Sequence, residues 1–240
     1  MSRILKRLDR RFATGALILV ASVALLMAGL VSVLSALTDD PTGLPNEGSL
    51  ESILADSIDP DEPQALPEEV SDLPLIAPVG LSIPRLYVDA PVVTLGVTED
   101  RSPDVPDTGE EVAWYDFSAS PGHGNNAVLS GHVDWQTREG LPIPGVFYRL
   151  REVVIGDVIE IDLEDGSQLQ YRVTGNVAAE FDDPNVVKAM GETSKDVLTL
   201  VTCGGTWFND SRAANGGNYS HRVVVRAELM PEPAAAGLEG

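Results

Sequence analysis

The chain has 240 residues and a formal net charge of −21, from 37 Asp and Glu against 16 Lys and Arg. Charged residues are 22% and apolar residues 43%, so there is enough apolar side chain to build a core, and global disorder is excluded. A body this acidic repels phosphate backbones, which argues against nucleic-acid binding, and its one cysteine, Cys203, excludes an internal disulfide.

The N-terminus divides into three segments. Residues 1–12 form a basic tail, with Arg3, Lys6, Arg7, Arg10 and Arg11 against Asp9. Residues 13–37 carry no charge. As a helix rising about 1.5 Å per residue they span roughly 37 Å, enough for a hydrocarbon core of about 30 Å. The stretch exceeds the roughly 7–15 apolar residues of a signal peptide, and Leu34-Ser35-Ala36 is a poor cleavage site, so an uncleaved anchor is expected. The basic flank places the N-terminus in the cytoplasm and everything after Leu37 outside, a single-pass protein of the cell membrane. Residues 38–74 hold eleven acids, six prolines and no Lys or Arg, which reads as an extracytoplasmic, mobile linker. Within it, Leu50, Ile53, Leu54 and Ile58 recur at helical spacing and suggest a transient helix over Ser49–Ile58.

Residues 75–240 carry 25 acids and 11 bases and are long enough for one domain. Leu81–Val93 is strand-like but interrupted by Pro84 and Pro91, which suits an edge or a bend. Ala127–Val133 is a short strand. Asp157–Leu163 and Gln168–Thr174 alternate polar and apolar residues around Asp165-Gly166, a hairpin signature. A helix is expected over about Asn185–Met190, after Asp182-Asp183-Pro184. Val197–Cys203 is apolar on both faces and reads as a central strand; Arg222–Leu229 alternates, with Val223, Val225, Ala227 and Leu229 on one side. Many short strands with scarcely any helix indicate an all-β barrel or sandwich.

Three residues carry candidate chemistry. Cys203 ends an apolar strand and is followed by Gly204-Gly205, where a side chain can leave the core. His132, in Ser130-Gly131-His132-Val133-Asp134, also sits at a strand end; an imidazole can take the proton of a thiol and return it to a leaving amine. Arg222 opens the last strand and, if that strand runs antiparallel beside the one holding Cys203, can present N–H donors to an oxyanion. His123 and His221 suit turn-capping roles. Three histidines and one cysteine are too few for a Cys/His structural zinc site.

The order AVLSGHVDW, GVFYRLREVVIGDVIEI, LTLVTCGG and YSHRVVVRAEL resembles the sortases, the cysteine transpeptidases of bacterial surfaces. TLVTCGG and VAWYDFSASPGHGNNAVLSGHVD are most similar to class F, with class E next. The resemblance spans about residues 80–229. It implies a closed eight-stranded β-barrel with short helices, preceded here by the transmembrane helix and the disordered stalk. It places the nucleophile on Cys203, the histidine on His132 and the arginine on Arg222, with Thr202 and Arg222 flanking the oxyanion. Many class F members have arginine directly after the tyrosine of the last loop, followed by Asp-Asn. Here the stretch reads Tyr219-Ser220-His221-Arg222, and Arg212 is the second candidate.

The implied reaction cleaves a sorting motif of the LPxTG kind in a secreted protein and passes the acyl group to an amine of the cell wall or another protein. It needs no cofactor or metal. Some sortases of another class use calcium, and Glu180, Asp182 and Asp183 lie in a suitable loop, but acid runs are mostly solvated. An L,D-transpeptidase needs Ser-His-Gly-Cys before its nucleophile, whereas Ser220-His221 follow Cys203. Papain-like peptidases place Cys before His and at a helix start, both reversed here. A non-catalytic stalked surface module, a degenerate sortase or an adhesin, would bury Cys203 away from His132.

Overall fold

A computed structural model describes residues 43–58, 76–99, 101–137, 139–211 and 216–231. The expected basic tail and membrane anchor lie outside these residues, as do positions 38–42 and 59–74 of the expected linker. Among the described residues no helix is long and apolar enough to cross a membrane.

Eleven strands follow in chain order among the described residues: β1 (Asn46–Glu47), β2 (Pro78–Ile83), β3 (Val88–Leu95), β4 (Val112–Tyr115), β5 (Asn126–Gly131), β6 (Asp134–Gln136), β7 (Pro142–Pro144), β8 (Val158–Leu163), β9 (Gln168–Glu180), β10 (Val197–Asn209) and β11 (Gly217–Leu229). Two short helices accompany them, α1 (Leu50–Leu54) and α2 (Pro184–Ala189). Strands β9-β11-β10-β5-β4-β3-β2-β8 are neighbours in that order, and β8 pairs back onto β9, so eight strands close into the expected barrel. β6 and β7 form a separate hairpin.

The expected hairpin is β8 with the first half of β9. Gly166 takes the left-handed conformation (φ 85°) that its turn demands, and the Asp165 carboxylate accepts from Ser167 N. Ile159, Ile161, Leu163, Tyr171 and Val173 enter the barrel core, while Glu160 and Asp162 accept from Gln170 and Gln168 across the outer face. Pro84 opens the 3-10 turn that separates β2 from β3, the bend expected there. Pro91 lies within β3, which is not an edge strand. Its missing donor is tolerated because the pairing with β4 starts one residue later, at Val92.

β9 runs six residues beyond the expected Thr174. Arg226 pairs with Gly175 and Ala227 with Val173, so Thr174 is an extra residue in the ladder. One extra residue exchanges the two faces of a strand. Tyr171 and Val173 therefore point into the barrel, whereas Val177 and Ala179 point outward, beside Val224 of β11.

That outward apolar stripe corrects the reading of the linker. Residues 44–58 are not a free tether but a strap packed on the barrel. β1 pairs with β9 at Asn46↔Val177, and Ile53, only 3% exposed, joins Val177, Ala179, Val224 and the α2 residues Val186 and Ala189. A reciprocal Ser49/Ser52 capping box starts α1. Beyond it Ile58 N donates to Glu192 O (2.9 Å), Ser194 N donates to Asp56 O (2.9 Å), and Lys195 Nζ lies 3.2 Å from Asp56. Among the acids and prolines of the segment stand three apolar residues, Leu50, Ile53 and Leu54, that pack on the barrel's outer stripe.

Beneath the strap, Arg226 is 4% exposed. Its Nη2 donates to Ala189 O at 3.0 Å, but Nε and Nη1 have no partner among the described residues, and burial lowers its pKa to about 10.

Candidate active site

The barrel brings the three candidate residues together from adjacent strands. β5 and β10 run parallel, with Val201 beside Ser130, and β10 and β11 run antiparallel, with Cys203 directly opposite Arg222. His132 is the first residue beyond β5. The Thr202 hydroxyl donates to Gly131 O (2.8 Å), tying β10 to the end of β5 beside His132. That hydroxyl proton is spent, so Thr202 acts here as a tie between strands and not as a free donor. Cys203, His132 and Arg222 all line one cleft of about 1030 Å³.

Two local expectations change. Cys203 does not end its strand and Arg222 does not open its own: β10 continues to Asn209 and β11 starts at Gly217. The ladder passes through Gly204-Gly205 by a bulge, since Gly204 pairs with His221 and Trp207 with Tyr219. Gly205 sits at φ 79°, and a Cβ there would collide with Ser220 Oγ and His221 Nδ1. The glycine pair thus makes a kink in a continuous hairpin, just past the half-buried cysteine.

Burial pushes the Cys203 thiol above its ordinary pKa; the Arg222 charge opposes this and the Asp134 carboxylate adds to it. The resting group is a thiol, which must lose its proton to react. His132 Nε2 lies 2.9 Å from Pro106 O. A carbonyl only accepts, so Nε2 carries hydrogen, and Nδ1 is the ring nitrogen left to exchange a proton. The ring packs against Trp135 at 4.6 Å between centroids. Among the described residues no hydrogen bond joins the ring to the thiol.

Arg222 is held by its own strand and by an aromatic ring. Nη2 donates to Asn218 Oδ1 (2.9 Å), Nη1 donates to His221 O (3.0 Å) and Tyr219 O (3.3 Å), and the guanidinium lies 6.0 Å from the Phe181 centroid. Arg212 lies outside the described residues.

His123 faces Pro121 O within a turn, and His221 bonds Ser220 Oγ at 2.8 Å. Of the loop acids, Asp183 caps α2 by accepting from Asn185 N (2.8 Å), and Glu180 pairs with His221 in the sheet. Among the described residues no group of three or more His, Cys, Asp or Glu side chains gathers as a metal site.

The cleft also holds residues given no role in the sequence reading. Asp134 and Trp135 follow His132, Tyr219 precedes Arg222, and Phe181 and Trp207 line the same space. For Asp134, Trp135, Trp207 and Tyr219 proximity to the candidate residues in sequence was the available signal; Phe181, 22 residues before Cys203, had none.

A Sortase domain family model matches residues 81–230. Among solved structures the chain is similar to a lid mutant of Streptococcus agalactiae sortase C1, with 22% identity over 65% of this chain and 71% of that one and a TM-score of 0.46. It is also similar to a lid mutant of Corynebacterium diphtheriae sortase A, with 22% identity over 70% and 77% of the two chains and a TM-score of 0.46. A Clostridium perfringens sortase D5 transpeptidase matches with 21% identity over 68% and 84% and a TM-score of 0.43. No curated protein sequence matches the chain.

Proposed function

The chain belongs to the sortase family, and from that premise we propose that it is a membrane-anchored cysteine transpeptidase with Cys203 as nucleophile, His132 as proton carrier and Arg222 as oxyanion donor. The observation that carries this reading is the meeting of those three side chains in one cleft. The substrate is a sorting motif of the LPxTG kind in a secreted protein. The Cys203 proton passes to His132, and Nδ1 is the nitrogen left to take it. Sulfur bonds to the backbone carbonyl carbon, and the oxyanion is met by Arg222 N–H groups that Asn218, Tyr219 and His221 leave unused. The C–N bond breaks, the imidazolium protonates the departing amine, and a thioester remains on Cys203. An amine of the cell wall or of another protein, or water, attacks that carbonyl carbon; the thiolate leaves and is reprotonated.

The class assignment, nearest class F with class E next, rests on TLVTCGG and VAWYDFSASPGHGNNAVLSGHVD. The localisation rests on the charge-free residues 13–37 behind a basic tail, which would hold the barrel outside the cell where its substrates emerge. Mass spectrometry of the full chain incubated with a panel of sorting peptides and amines tests the reading. A thioester adduct on Cys203 that an added amine discharges is expected. A chain that never acquires the adduct and never cleaves a peptide is no transpeptidase.

A further inference from the structure

Asp134 and Tyr219 have no part in the steps above, yet the fold joins them across the candidate site. Asp134 opens β6, two residues after His132; Tyr219 lies in β11, three residues before Arg222. Among the described residues no strand ladder connects these segments, because β6 pairs there with β7 alone. The connection is one side-chain bond: the Tyr219 hydroxyl donates to Asp134 Oδ2 at 2.5 Å. That is the short end of the range for a hydroxyl on a carboxylate, the strong charge-assisted kind.

Each partner is coupled to a reacting group. The Tyr219 carbonyl accepts from Arg222 Nη1, and its ring meets Trp207 edge-on at 5.2 Å. On the other side Trp135, next to Asp134, packs on the His132 ring, while Phe147 N donates to His132 O (2.9 Å) and Gly145 N to Val133 O (3.0 Å). Both Asp134 and Tyr219 line the cleft with Cys203.

We propose that Asp134 and Tyr219 form a positioning clasp, which ties the His132 loop to the Arg222 strand and, through the tyrosine's donated proton, damps the carboxylate charge that the Cys203 thiol meets. The proposal rests on the reading of Cys203, His132 and Arg222 as the reacting groups. Charged and titratable groups around the thiol are Arg222 and Tyr219 from β11, His132 at the end of β5, Tyr115 from β4, Asp134 from β6, and Asp182 and Asp183 on the cleft wall. Of these, Arg222 favours the thiolate and Asp134 opposes it. Burial and Asp134 push the Tyr219 phenol well above its ordinary pKa, so it stays a donor at every working pH.

The clasp has two functions that two substitutions separate. Asp134→Asn keeps an acceptor for the tyrosine but removes the charge. Tyr219→Phe removes the tie but keeps the charge, now without its hydrogen-bond donor. Cys203 is the chain's one cysteine, so iodoacetamide alkylation against pH reads its titration alone. Relative to wild type, the alkylation midpoint of the full chain should move to lower pH in Asp134→Asn and to higher pH in Tyr219→Phe, each by on the order of half a unit. General loosening of the cleft would instead hydrate the thiol and move both midpoints down together. That outcome, or no movement in either variant, overturns the clasp. Should Tyr219→Phe fail to fold, a downward shift in Asp134→Asn at unchanged Tm decides alone.

With a reactive peptide, Tyr219→Phe should lower kcat about 10- to 100-fold with KM nearly unchanged, because the loss is one of alignment. The alkylation result stands whether or not a peptide reacts. Opposite shifts in a chain that no peptide acylates would leave the clasp and sink the transpeptidase reading; shared shifts in an active enzyme would do the reverse.

Discussion

Ile53 is the buried side chain of the strap on the barrel's outer stripe, and its truncation has a calculable consequence. Ile53→Ala removes three carbons from a side chain that is 3% exposed among Val177, Ala179, Val186, Ala189 and Val224. At about 0.8 kcal/mol per buried methylene this is a loss of roughly 2.4 kcal/mol. Ile→Ala changes in cores span about 2–5 kcal/mol; the lower end applies here because the strap lies on the surface and can settle into the gap. Since about 1.4 kcal/mol is a factor of ten, the strap should open roughly 50-fold more often. The opening is local, so hydrogen exchange measures it directly. The amides of Ile53, bonded to Ser49 O, and of Ile58, bonded to Glu192 O, should exchange about 50-fold faster, while those of β10 keep their protection. Because α1 packs on α2, and α2 supplies Val186 and Val187 to the cleft wall, KM for a sorting peptide should rise in the same variant. Strap amides that exchange within about threefold of wild type would refute the packing argument.

Other expectations follow from the same geometry. Cys203→Ala should leave the circular dichroism spectrum intact and abolish the thioester adduct in mass spectrometry; wild-type cleavage by this variant would remove Cys203 from the mechanism. Arg222→Ala should cost kcat on the order of 100- to 1000-fold, and Arg222→Lys should recover little of it, because an ammonium lacks the planar fork. Arg212→Ala should be mild, and inactivity there with an active Arg222→Ala would reverse the assignment. The Cys203 thiol is raised in the folded state, chiefly by burial. Its contribution to stability is therefore complete below the ordinary thiol pKa and is lost as pH rises towards the folded value. Denaturation midpoints should fall over that interval in wild type and fall less in Cys203→Ala. Arg226→Met replaces a buried guanidinium whose Nε and Nη1 lack partners among the described residues, and should hold or raise Tm; a fall of several degrees would show that the Ala189 bond outweighs the burial.

A chain begun at Leu75 would expose Val177, Ala179 and Val224. Its Tm should lie below that of one begun at Gly43, and equal values would make the strap dispensable.

Local alternation determined much of this protein. Asp157–Thr174 carries its own hairpin, since the two-residue period selects the buried face and Asp165-Gly166 supplies the turn. The apolar run Val197–Thr202 marks a strand buried on both faces wherever it pairs. The motifs marked Cys203, His132 and Arg222 as candidates; the barrel sets Cys203 opposite Arg222 on paired strands and His132 just beyond the end of a third. What the tertiary structure decided depends on partners far along the chain. The bulge at Thr174 exists only against Arg226 and Ala227, and by exchanging the faces of β9 it creates the outer stripe that draws in residues 44–58. Their acids and prolines are the composition of a tether, and three apolar side chains become a docking face only when a complementary surface exists. The bond between Asp134 and Tyr219 joins residues 85 apart in sequence, and the continuation of β10 past Gly205 needs β11 alongside. A period is a property of a few consecutive residues; a contact between distant residues is set by how the closed barrel registers its strands.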